Sequence, residues 1–222
     1  MLFVNLFEND FKLFLPEFFL VTAILTIVLY GSFYSVSREH NYPLINVSTC
    51  WASVFTLVNT FFLIVFTRDV SGIIFNGTFI CDLLSQNSKL FIIAATIVCL
   101  LISLPYIRNY KVNSFEYFLL ILLSVLGLML LCSSFDLISV YLAIELQSLC
   151  LYVLAAFNRE SAYSTEAGLK YFILGAFASG LLLFGISIIY GFAGTTNFED
   201  LHMLFALDTE NQRAIQTGLI FI

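Results

Sequence analysis

One carboxylate stands inside an otherwise uncharged run, LISVYLAIELQSLCLYVLAAF, residues 137–157. At ~1.5 Å per helical residue the run is about 31 Å long, enough to cross the hydrocarbon of a bilayer, and Glu145 lies ~12 Å from its start. A carboxylate at the centre of a membrane helix costs roughly 2.5–3.5 kcal/mol on insertion scales. No helix end is near enough for the side chain to reach water. Its neighbours at three- and four-residue spacing are Tyr141, Ser148 and Leu149, with Tyr152 one turn further. Tyr141, Ser148 and Tyr152 give this helix a polar stripe, which belongs against protein or water rather than lipid. Two readings are open: a protonated, hydrogen-bonded structural Glu, or a proton-relay carboxylate. The relay accounts better for the cost, because burial brings the charged and neutral forms of a carboxyl group close in free energy.

The next apolar run, STEAGLKYFILGAFASGLLLFGISIIY, carries the other intramembrane charges. Lys170 lies about six residues in, ~9 Å from the helix start. It is a second proton-transfer candidate, but Glu166 precedes it by four residues, the favoured order for a helical ion pair. Lys170 is therefore also explained as a lysine held by Glu166, or one that snorkels to the surface. In a straight hairpin Glu145 would lie ~18 Å from the shared surface and Lys170 ~9 Å, which predicts water between them rather than contact. Gly175 and Ser179, and Ala176 and Gly180, stand four apart, a spacing that lets helices pack closely.

Composition sets the elements that must hold these residues. The chain has 222 residues, 60% hydrophobic and 11% charged, against about 25% charged in soluble domains, so it reads as a polytopic membrane protein. The net charge of −6 argues against a nucleic-acid partner. The first residues carry Glu8 and Asp10 and no Arg, unlike an import presequence or a basic signal peptide. Five cysteines are scattered singly with no metal-ligand spacing, and no glycine-rich nucleotide fingerprint occurs, so no cofactor is expected on this chain.

The fold class expected is all-α, a polytopic transmembrane bundle. Six complete spans are predicted over about 13–35, 46–67, 89–107, 115–133, 137–157 and 164–191, with the start of a seventh at AIQTGLIFI. The gap around SSFD forces a tight antiparallel hairpin of the fourth and fifth spans, with Asp136 as the N-cap of the fifth. Asn76-Gly77, between apolar alternations, predicts a β-hairpin. Pro16-Glu17 reads as a helix start, with the carboxylate against the helix dipole. Lys12, Arg68, Lys89, Arg108 and Lys111 flank spans and read as interfacial anchors. No internal repeat or linker is visible, so residues 1–222 form one domain.

VYLAIELQSLCLYVLAAF followed by STEAGLKYFILGAFASGLLLFGISIIYG closely resembles subunit 2 of respiratory complex I, the proton-pumping NADH:ubiquinone oxidoreductase. The match is dense over 136–192 and looser but in register over 11–135, including LPEFF. The resemblance implies the N-terminal half of an antiporter-like membrane-arm subunit, with buried Glu and Lys residues along a hydrated axis and no redox cofactor of its own. It implies that Glu145 of IEL transfers protons and that Lys170 of LKY is buried. It implies a multi-pass protein of the mitochondrial inner membrane, or alternatively of a bacterial plasma membrane, with other complex I membrane-arm subunits and the lipid bilayer as partners. Basic residues tie at four on each side, so the positive-inside rule is silent, and the resemblance places the N-terminus outside, in the intermembrane space. Two other functions remain open: a cation/proton antiporter subunit not coupled to quinone, or a structural or assembly membrane protein.

The sequence departs from that family in one respect. Its members continue through a broken helix with a central lysine and a second group of helices, whereas AIQTGLIFI spans only ~14 Å. The expectation is a separate polypeptide that completes the C-terminal half.

Overall fold

The computed structural model describes residues 10–35, 42–68, 70–109, 115–207 and 218–221. Among the described residues, six helices are long and apolar enough to cross a membrane. They are α1 (Leu15–Ser35), α2 (Tyr42–Phe66), α3 (Leu83–Asn109), α4 (Glu116–Ser133), α5 (Leu137–Ala155) and α6 (Ala162–Ala193). A shorter helix, α7 (Phe198–Leu207), follows, and a two-stranded antiparallel sheet, β1 (Gly72–Ile74) and β2 (Phe79–Cys81), joins α2 to α3. Residues 218–221 are helical, while the rest of the expected seventh span lies outside the described residues. The chain is thus the all-α polytopic bundle that its apolar runs predict. The short helix α7 was not anticipated.

Helix α4 is the hub, in contact with α1, α2, α3 and α5. Its Phe118, Leu122, Val125 and Met129 are buried among Leu20 and Ile24 of α1, Leu57 and Ile64 of α2, and Ile93 and Leu100 of α3. Lipid is as apolar as leucine, so close packing rather than water exclusion holds such helices together. Between α4 and α5 the close packing shows at Gly127, where a Cβ would stand 2.9 Å from the backbone nitrogen of Gln147 and 3.1 Å from the carbonyl oxygen of Ala143. The absence of a side chain there lets α5 lie directly on α4.

The expected hairpin is present, with Ile74 opposite Phe79 and residues 75–78 as its turn. Phe75, Asn76 and Gly77 take φ of 52°, 55° and 87°, the left-handed region that asparagine and glycine accept at least cost. Asp136 is the N-cap of α5: its Oδ1 accepts from the backbone N–H of Ile138 at 2.8 Å. Its Oδ2 also accepts from the hydroxyl of Thr196 at 2.8 Å. The Asn197 side chain donates to the carbonyl of Gly77, and Phe135 N–H donates to that of Thr78, each at 2.8 Å. The hairpin, the α4–α5 connection and the α6–α7 connection are thereby tied together on one side of the bundle.

The third span begins earlier than the apolar run suggests. Gln86 N–H donates to the carbonyl of Asp82, and the Ser85 hydroxyl accepts from Asp82 N–H, so the helix starts at Leu83. Lys89 is then its seventh residue, ~9 Å inside the helix rather than at its end. The expectation that Lys89 anchors at the interface is corrected below.

Candidate functional site

Helix α5 presents Glu145 half-buried, with Oε1 out of contact with water and without a hydrogen-bond partner among the described residues. The Ser148 hydroxyl does not fill that gap, since it donates to the backbone carbonyl of Glu145 at 3.1 Å. Tyr141 and Ser148, four before and three after Glu145, line a groove of about 400 Å³ between α5 and α6 together with Tyr152, Gly175 and Ser179. The polar stripe expected around Glu145 therefore faces protein, as its cost in lipid requires.

Helix α6 is set against α5 by its small residues. A Cβ on Gly168 would stand 2.4 Å from the Cβ of Ala156, and one on Gly175 would meet the Tyr152 ring and hydroxyl. Tyr152 also packs edge-on against Tyr171, with ring centroids 4.7 Å apart. The close-packing stripe is thus real at Gly175, whereas Ser179 lines the groove and Gly180 meets nothing within 4 Å. The Ser164 hydroxyl donates to the carbonyl of Ala155 at 2.8 Å and fixes the level of the two helices.

Those contacts define where Lys170 points. It lies two residues, ~200°, beyond Gly168, so it faces away from α5. Its Nζ donates to Glu166 at 2.5 Å, the four-residue pair read from the sequence, and both side chains are well exposed. From the Ala155 level Lys170 is ~9 Å deep and Glu145 ~15 Å, an offset of only ~6 Å. The structure does not bring the two together. Direction around α6 separates them more than depth does, in keeping with the expectation that they make no direct contact.

A different pair is buried. The Nζ of Lys89 donates to Oε1 of Glu17 at 2.6 Å, with side chains 4% and 1% exposed. Glu17 does sit in the first turn of α1, as expected, but its carboxylate serves Lys89 and not only the helix dipole. Lys89 is no interfacial anchor; helix α3 carries it into the protein. The signal that could have found it is Asp82 with Ser85, a helix-start pattern that moves Lys89 two turns inward. Next to the pair, Cys81 is buried, and burial pushes its thiol above the usual range while the Lys89 ammonium pulls it back. Leu13, Ile74 and Cys81 form a small cluster that roofs this end of the bundle.

Residues 134–222, which hold Glu145 and Lys170, match the transmembrane family described as NADH:quinone oxidoreductase/Mrp antiporter. Over those residues the chain is similar to an antiporter-like helix bundle. Over 98% of its length the chain is 41% identical to NADH-ubiquinone oxidoreductase chain 2 of Marchantia polymorpha, covering 46% of that protein. It is 42% identical over 94% of its length to NADH-quinone oxidoreductase subunit N of Paramagnetospirillum magneticum, covering 42% of it. A chain of respiratory complex I from Thermus thermophilus superposes with a TM-score of 0.70 over 93% of this chain and 42% of that one, at 24% identity, and shares the fold. These matches make the chain similar to chain 2/subunit N proteins along almost its whole length, and it spans a little under half the length of the relatives it matches.

Proposed function

We propose that this chain is a membrane-arm component of a proton-translocating NADH:quinone oxidoreductase, in which Glu145 transfers protons. The observation that carries the reading is the Glu145 carboxylate, held in a membrane helix beside the groove that Tyr141 and Ser148 line, with one buried oxygen that has no hydrogen-bond partner among the described residues. A buried acceptor without a donor is costly unless water or a proton fills it. Either one makes the carboxyl group a stopping point for protons. Tyr141, Ser148, Tyr152 and Ser179 set polar groups in the otherwise apolar walls of the groove, and water can be ordered on them. Lys170 with Glu166 forms a second charged station on the outer face of α6, where its role is secondary. NADH oxidation and quinone reduction are assigned to other subunits of the complex, and no electron carrier is assigned to this chain.

Other membrane-arm subunits are the partners this reading requires. Much of α6 is bare: Leu169, Leu174, Phe177 and Phe184 are exposed beside the Glu166–Lys170 pair. Such a face, part charged and part apolar, calls for further helices against it. We assign these to other helices of the membrane arm.

The function is tested by Glu145→Gln in the assembled complex, which keeps shape and hydrogen bonding and removes the titratable proton. Assembly is expected to be normal and the protons moved per NADH to fall. Full pumping at the normal rate of NADH oxidation would remove Glu145 from the proton path.

A further inference from the structure

Glu17 and Lys89 are the most deeply buried charged residues described, and they lie apart from the Glu145 groove. Taking both charges out of water costs more than their attraction returns unless the remaining lone pairs and N–H groups also find partners. They do not. Among the described residues Oε2 of Glu17 has no hydrogen-bond partner, and the same is true of Oε1 of Gln86. Gln86 lies three residues before Lys89, on the same face of α3, so both empty acceptors belong to one neighbourhood. The Lys89 ammonium has three N–H bonds and spends one on Glu17. Unpaired donors and acceptors gathered at one buried place define a water site.

The site also has a polar route to the surface. The Gln86 amide donates to the carbonyls of Val70 and Thr67, at 3.3 and 3.5 Å, in the connection between α2 and the hairpin. Val70 itself is half exposed. Gln86 therefore bridges the outer edge of the bundle to the ion pair.

We propose that Glu17 and Lys89 form a second proton-exchange site, hydrated at Glu17 Oε2 and Gln86 Oε1 and fed from the hairpin side. The proposal rests on the proton-translocating function assigned above. A hydrated proton that arrives at Oε2 forms an O–H bond there and leaves its carrier as water. The carboxyl group is then neutral, and Lys89 has lost its counter-charge. One N–H bond of the ammonium breaks and its proton passes to water. The proton on Oε2 then passes through the water of the site to the lone pair of the amine, which restores the ion pair. One proton enters, one leaves, and nothing is oxidised or reduced.

The test uses the whole NADH-oxidising complex in sealed vesicles, carrying E17Q together with K89M, and E145Q as the reference. The double substitution removes both charges, so neither is stranded. Assembly is followed on a native gel and pumping as protons moved per NADH. The double variant is expected to assemble and to lose pumped protons per NADH while it still oxidises NADH. If it pumps as the unsubstituted complex does while E145Q is impaired, the pair is structural and the proposal falls alone. If both pump normally, the proton-transfer function falls with it. Should the double variant fail to assemble, the unsubstituted complex decides the matter. A hydrophobic carbodiimide, which adds to protonated carboxyl groups, is expected to label Glu17, as read by mass spectrometry of its peptide. An unlabelled Glu17 beside a labelled Glu145 overturns the proposal.

Discussion

Gly127→Ala is expected to loosen the seat of Glu145. The added Cβ would stand 2.9 Å from the Gln147 nitrogen and 3.1 Å from both the Ala143 oxygen and the Gln147 Cβ, where ordinary contact begins at 3.4 Å. Two of those atoms are backbone and cannot turn aside, so α5 must move from α4 by about half an ångström. Overpacking of this kind costs about 1–3 kcal/mol. Replacing glycine by alanine in a helix returns about 1 kcal/mol, leaving a net loss of roughly 0–2 kcal/mol. Gly180→Ala is the control, because a Cβ there meets nothing within 4 Å and only the helix gain of about 1 kcal/mol applies. The two variants of this chain should differ by about 1–3 kcal/mol in unfolding from mild-detergent micelles by added SDS, with Gly127→Ala the weaker. Ala143 and Gln147 lie on either side of Glu145, so in the assembled complex the same shift should also lower protons moved per NADH. Equal unfolding midpoints for the two alanine variants would refute the close approach of α4 and α5.

Lys170→Met should reduce pumping less than Glu145→Gln, because Lys170 faces away from the groove and is already paired with Glu166; equal losses in the same vesicle assay would contradict that ranking. Asp136→Ala removes an N-cap worth about 1 kcal/mol and also the acceptor for Thr196, whereas Asp136→Asn keeps the cap. In SDS unfolding the alanine variant should therefore be the less stable of the two. Burial raises the Cys81 thiol from its ordinary value, so near pH 8 it remains a thiol rather than the reactive thiolate. Maleimide should accordingly modify Cys81 far more slowly in the folded protein than after denaturation, and equal rates would show that the hairpin roof is open.

Much of this bundle is legible in the sequence because the bilayer writes it there. Six apolar runs of sufficient length become six helices, Asn76-Gly77 becomes a hairpin turn, and Asp136 before a long apolar run becomes an N-cap. Local rules suffice for each. The same apolar runs conceal which face of each helix turns inward, since lipid and protein both accept Leu, Ile and Phe. That is why the meeting of Glu17 with Lys89, 72 positions apart, was not legible. Asn197 reaching Gly77 across 120 positions was hidden for a related reason: a long-range hydrogen bond leaves no local pattern. Glu145 was found because charge inside a complete span is an anomaly on its own. Lys89 was missed because its span was started at the first strongly apolar stretch instead of at Asp82.

The outer face of α6 gives the Glu166–Lys170 pair its meaning. Gly168 and Gly175 fix the side turned toward α5, and Lys170 lies nearly opposite, ~9 Å below the level of Ala155. A lysine at that depth against lipid would need to snorkel, and its four-carbon stem could reach the interface from there. In the structure it does not extend alone toward the surface but turns back one turn to Glu166. An exposed helical ion pair in water is worth only about 0.3–0.5 kcal/mol, too little to recover two charges left facing hydrocarbon. A protein surface or a water-filled cavity against this face removes that difficulty, and lipid does not. Glu145 and Lys170 then lie on opposite sides of α6, separated by the width of one helix and about 6 Å in height. A proton that passes from one to the other must go around α6, through the groove beside Ser179 or past the bare surface at Gly180.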